Sequence, residues 1–103
     1  MNPTNITIQS IRQAGNKIRV SHFRKISGYK ELVPISEIRK NGWQNNIKSN
    51  GGKTTLALTT RDGKDFSATA KCSKSDNFNR KIAVAIAIGR LIKSASESGI
   101  SIV

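Results

Sequence analysis

The chain is poor in the residues that most chemistry needs. It has one cysteine (Cys72) and one histidine (His22), so an internal disulfide and a histidine metal cluster are excluded. With a single thiol, zinc is disfavoured too, and a lone thiol fits a reducing cytosol better than an oxidising compartment. Acids are equally sparse. Glu31, Glu37, Asp62, Asp65, Asp76 and Glu97 fall in expected loops, caps and turns, and no pair is spaced for acid–base or two-metal work. Aromatics are 5% of the chain, so the core must come mainly from Ile, Val, Leu and Ala. No apolar run approaches the roughly 20 residues that span a bilayer, and "MNPTNITIQS" has neither the basic start nor the apolar run of a signal peptide. A Cys72–His22 nucleophile pair would lack a third, orienting group. The expectation is a protein that is not an enzyme and uses no cofactor or metal.

What is abundant is positive charge. Eighteen Lys and Arg against six acids give +12 over 103 residues, a length that suits one domain, residues 1–103. Such a balance calls for a polyanionic partner, usually nucleic acid, with acidic protein surfaces or membrane headgroups as the other classes. The cations run from Arg12 to Lys93, so they decorate the folded part and do not form a detachable arm.

"SNGGKTTLAL", Ser49 to Leu58, has the tail of a phosphate-binding P-loop. The pattern needs a further glycine five residues before Gly52, where Ile47 stands. It also needs a buried strand before the loop and a helix after it. "NGWQNNIK" is too polar for the first, and the Thr-rich alternation after Gly52 reads as strand. Gly51 and Gly52 are therefore expected to bend the chain into a hairpin, with Lys53 as a surface cation.

Periodicity fills in the rest. Asn5 to Gln13 alternate early at Ile6 and Ile8 and predict a strand. Lys17 to Ile26 predict a second strand paired with it, Ile18 and Val20 to one face and Lys17, Arg19, Ser21, Phe23 and Lys25 to the other. "SGYKELVP" reads as a loop with room for a short extended piece. "ISEIRKNG" reads as a helical turn capped by Ser36 and ended by Gly42, and "WQNNIKSNGG" as a loop anchored by Trp43. Lys53 to Thr60 and Asp65 to Lys71 flank an Asp-Gly pair, the signature of a hairpin with a type I′ turn. Next comes a helix over about Ser75 to Ser98, with Ser73 and Asp76 matching a capping box and Gly99 just past its end. The apolar tail "ISIV" can tuck back onto the sheet. The fold class is thus α+β, an antiparallel sheet of about four strands with one long C-terminal helix packed on one face.

At 100° per residue, Phe78, Ile82, Ala85, Ile86, Gly89 and Ile92 cluster on one side of that helix, and Val84, Ile88 and Leu91 widen the arc. Asn79, Arg80, Ala83, Ala87, Arg90 and Ser94 are left as a narrow stripe. So wide an apolar arc suits a core helix, or a homodimer interface through the C-terminal helix. Arg80 and Lys81 sit in the first turns, where the helix dipole disfavours cations. With Lys74 they make either a phosphate site or a set of solvated cations. The second candidate surface is Lys17, Arg19, Phe23 and Lys25, followed by Arg24, Tyr29 and Lys30. It interleaves cations for phosphates with rings for base stacking. A register slipped by one residue would instead turn Phe23 into the core.

Two resemblances rest on particular residues. Strand, turn, strand and "CSKSDNFNRKIAVAIAIGRLI" look like the back half of a double-stranded-RNA-binding domain, with Ser73, Lys74, Arg80 and Lys81 matching the phosphate-gripping helix start. "GGKTTLALTT", "AKCSKSDNFNRK" and "IAIGRL" are similar to small bacteriophage proteins that end in a hairpin and a helix of this pattern. The second resemblance implies a viral protein acting in the cytoplasm of a bacterial host cell. The expected function is a basic nucleic-acid-binding protein for DNA or RNA that contacts the phosphate backbone and binds no membrane. The alternative is an anti-defence, anti-CRISPR-like inhibitor that docks on a host nucleoprotein complex through the same basic face.

Overall fold

A computed structural model describes residues 6–102. The elements run α1 (Ile8–Gln13), β1 (Lys17–Arg24), β2 (Val33–Pro34), α2 (Ile35–Asn41), β3 (Lys53–Thr59), β4 (Asp65–Lys71) and α3 (Arg80–Glu97), with a short 3-10 turn at Gln44–Asn46. The four strands form one antiparallel sheet in the order β2-β1-β3-β4. Helix α3 packs across β3 and β4 on one face. The fold is α+β with a C-terminal helix on the sheet, as the sequence predicts.

The first predicted strand is instead helical from Ile8 to Gln13, with Ile6 and Thr7 leading into it; Asn5 lies outside the described residues. Thr7 caps α1 with a reciprocal box. Its Oγ1 accepts from the Ser10 N–H at 3.1 Å, and the Ser10 Oγ accepts from the Thr7 N–H at 2.9 Å. This satisfies amide donors that α1 leaves free at its start. Ile11, fully buried, then joins the core. With no strand ahead of it among the described residues, β1 pairs with β3, Ile18 opposite Leu58 and His22 opposite Thr54. The fourth strand is β2, two residues long at the far edge of the sheet.

The hairpin forms with a different turn. Among the described residues no non-glycine has positive φ, so a type I′ turn, which needs two such residues in a row, is not made. Gly63 alone is left-handed, at φ +84°, behind a tight turn closed by its own N–H on the Thr60 carbonyl at 2.8 Å. That is the three-residue loop with a glycine bulge, which tolerates Asp62 in an ordinary conformation. Helix α2 has Pro34 at its N-cap with no side-chain bond, so Ser36 does not cap it, and Gly42 closes it at φ +71°.

α3 starts at Arg80, later than predicted. Asn79 is its N-cap, its Oδ1 accepting from the Ile82 N–H at 3.1 Å, while Ser73 and Asp76 belong to the preceding turn. At the other end, Gly99 donates to the Ser96 carbonyl and Ile100 to the Ala95 carbonyl, the paired bonds of a Schellman motif.

The buried face of α3 is not the predicted one. Ala83, Ala87, Ile88, Leu91 and Ala95 are buried, at helical spacing, against Leu56, Leu58 and Ala70 of the sheet. Ile82 and Ile86 are exposed. Summed hydrophobicity favours the bulky isoleucines, but alanines let a helix axis approach a pleated sheet closely. Packing density decides the contact. The tail does return, with Ile102 buried in the core, and Asn16 pins it by donating to the carbonyls of Ile102 (2.6 Å) and Ile11 (3.1 Å); Val103 lies outside the described residues.

Candidate nucleic-acid interface

Period-2 alternation gives the sheet two unlike faces. Ile18, Val20, His22 and Arg24 of β1 point to the α3 side, while Lys17, Arg19, Ser21 and Phe23 point away. Register extends the outer face into rows. Lys17 lies across from Thr59 and then Asp65, Arg19 from Ala57 and Ser67, Ser21 from Thr55 and Thr69, and Phe23 from Lys53 and Lys71. Arg19, Ala57, Ser67, Thr69 and Lys71 are all exposed, so this face is open. It is rich in hydroxyls and carries Lys17, Arg19, Lys53 and Lys71 against the single acid Asp65. The Lys53 ammonium sits 4.7 Å from the centroid of the Phe23 ring.

The end of the sheet at the Phe23 row collects further cations. The chain enters β3 through Gly51 and Gly52, both at positive φ, and the Gly52 carbonyl accepts from the Cys72 N–H at 2.8 Å. These glycines lead into a strand, as predicted, and not into the helix of a P-loop. Gly52 is required here, because a Cβ would stand 2.9 Å from both the Phe23 carbonyl and the Phe78 ring.

That contact fixes Phe78 under β1. Its ring meets His22 edge-on at 5.9 Å, and the Arg24 guanidinium lies 4.6 Å from its centroid. Arg24 donates to the Lys48 carbonyl at 3.0 Å, while its Nε is shut off from solvent with no partner among the described residues. His22 Nδ1 is 2.7 Å from Thr54 Oγ1. Burial first, then the charges of Arg80 and Arg24, hold the His22 pKa below its ordinary value. Burial and Arg80 likewise lower that of Arg24, which the nearby Cys72 partly offsets. Arg24 and Arg80 therefore repel each other at one end of the sheet, and burial with their charges favours the neutral form of His22; a bound anion there would offset both effects.

The predicted site residues fall into three groups. Lys17, Arg19 and Phe23 share the open face. Arg24 lies beneath it over the Phe78 ring, close enough to Arg80 to feel its charge, with Lys25 just past β1 and Lys74 in the turn beside Gly51. Lys81 is exposed on the first turn of α3. Tyr29 and Lys30 stand apart, in the β1–β2 loop, where Tyr29 stacks on Trp43 at 4.9 Å. The sequence reading missed Lys53 and Lys71 as partners of Phe23. Their signal was present, because folding the hairpin about Asp62–Gly63 sets them opposite each other.

Among the described residues no group of three or more His, Cys, Asp or Glu could hold a metal ion, and no helix is long and apolar enough to cross a membrane. No protein-family model, no curated protein and no solved structure matches the chain.

Proposed function

We propose that the protein binds nucleic acid, laying a phosphate backbone across the open sheet face and into the cationic end of the sheet. One observation carries this reading. Three successive rows, from Arg19 to Phe23 and from Lys53 and Ala57 to Ser67 and Lys71, present cations, hydroxyls and one ring with no acid among them. Lysine and arginine neutralise phosphates, Ser and Thr hydroxyls bond to phosphate oxygens, and Phe23 offers a face for a base. The closeness of Arg24 and Arg80 supports the same reading, since a phosphate at that end would offset their mutual repulsion. Binding is non-enzymatic and backbone-directed.

The test is fluorescence anisotropy with labelled single- and double-stranded DNA and RNA at two salt concentrations. Micromolar or tighter binding that weakens steeply with salt, and fails in an Arg19→Glu, Lys53→Glu variant, supports the reading. Absence of binding to all four probes at low salt refutes it.

A further inference from the structure

The α3 side of the sheet ends in an apolar groove that nucleic-acid binding leaves unused. It lies between the turn after β4 and the first two turns of α3. Ala70, Cys72, Phe78, Ile82, Ala83 and Ile86 line it around a volume of about 280 Å³. That is just under the range of about 300–1,000 Å³ usual for small-molecule sites, and suits a few side chains of a peptide better than a cofactor.

Its outer wall is exposed. Ile82 is 59% exposed and Ile86 45%, stacked four residues apart on one helix face. Ala85 and Gly89 beside them are also exposed, so no bulky neighbour screens them. A single surface isoleucine would mean little, but two continuous with a groove form the kind of patch that marks an interaction site.

Charge selects the occupant. Lys74 and Lys81 are exposed on the segments that flank the groove, while Lys71 at its edge belongs to the open-face row; Asp76 is the acid in the lining. A second copy of the chain would set these lysines against their own kind in a molecule of net charge +12. A nucleic acid would meet the lysines but leave the isoleucines wet. We propose that the groove docks a short amphipathic segment of an acidic partner protein. Its apolar side chains seat against Phe78, Ile82 and Ile86, and its carboxylates face Lys74 and Lys81, the helix-in-groove mode of recognition. Ile82 and Ile86 lie on the opposite side of the sheet from the open face and outside the cationic end, so changes there separate the two sites.

The probe is a random-peptide display library selected against the full chain at physiological salt. The proposal expects enriched peptides that combine large apolar residues with Asp or Glu at helical spacing. Their binding should fall at least about tenfold in Ile82→Ser, Ile86→Ser, the loss usual for central anchors. It should also fall in Lys74→Glu, Lys81→Glu, which leaves the apolar wall intact. Because both isoleucines are solvent-exposed, the serine variant should keep the parent's circular dichroism and nucleic-acid affinity. Selected peptides should slow alkylation of Cys72, a thiol in the lining. No enrichment, enrichment without acids, or binding indifferent to both variants would overturn the proposal. Concentration-dependent self-association lost in the serine variant would overturn it as well, by making the occupant a second copy.

Discussion

Neutralising Lys53 and Lys71 together tests whether the open face, and not net charge alone, carries affinity. The two lysines are cross-strand partners at the Phe23 row, and both change to glutamine with their aliphatic stems kept. Each phosphate contact contributes about −0.9 to the slope of log affinity against log salt for duplex, and about −0.7 for single strands. Losing two contacts therefore flattens the slope by about 1.8 or about 1.4. With the non-electrostatic part unchanged, that is about a 30-fold loss on duplex and about 14-fold on single strands at roughly 0.15 M salt. At about 0.05 M salt the duplex loss grows to about 200-fold. The control is Lys40→Gln, Lys93→Gln, the same change in net charge placed on the helices α2 and α3. Anisotropy titrations over a salt series read both slopes. If the control pair flattens the slope as much as the face pair does, or if the face pair leaves it unchanged, the reasoning is refuted.

The same geometry sets other outcomes. Gly52→Ala should destabilise by roughly 2–5 kcal/mol in urea unfolding, through backbone strain and overpacking against Phe23 and Phe78. Gly63→Ala, with open space around it, should show the strain alone. Asn16→Ala removes the donor shared by the Ile11 and Ile102 carbonyls and should cost about 1–3 kcal/mol, read as a lower urea midpoint. His22 has a folded pKa below its unfolded value of 6.5, so the unfolded chain takes up the proton first. Stability should hold above that pH and fall as pH drops from about 6.5 through the folded value. His22→Gln should flatten this part of the melting-temperature profile. Bound phosphate should reverse the sign for binding, with affinity rising over the same interval.

The elements with strong local signals were legible. Alternation in β1 placed Lys17, Arg19 and Phe23 on one face, and Asp62–Gly63 marked the hairpin, although the turn that forms needs positive φ only at Gly63. Two misreadings have physical causes. Ile6 and Ile8 suggest a strand, but Ile8 and Ile11 are equally one helical turn apart, and the Thr7–Ser10 box decides for helix. On α3, hydrophobicity summed around the wheel points to Ile82 and Ile86, whereas the sheet accepts Ala83, Ala87 and Ala95 because they let the backbone come close. The contact of His22 and Arg24 with Phe78, within reach of the Arg80 charge, was not legible at all. It joins residues far apart in the chain through the close passage at Gly52, which only the folded register creates.

Amide chemical-shift mapping tests the central claim most directly. Labelled protein would be titrated with whichever nucleic acid binds tightest in the anisotropy panel. The account expects the largest shifts at Arg19, Ser21, Phe23, Lys53, Thr55, Thr69 and Lys71, with Arg24 and Arg80 next and the Ile82–Ile86 turn unmoved. Shifts centred on that turn of α3, or spread evenly over every lysine and arginine, would contradict it.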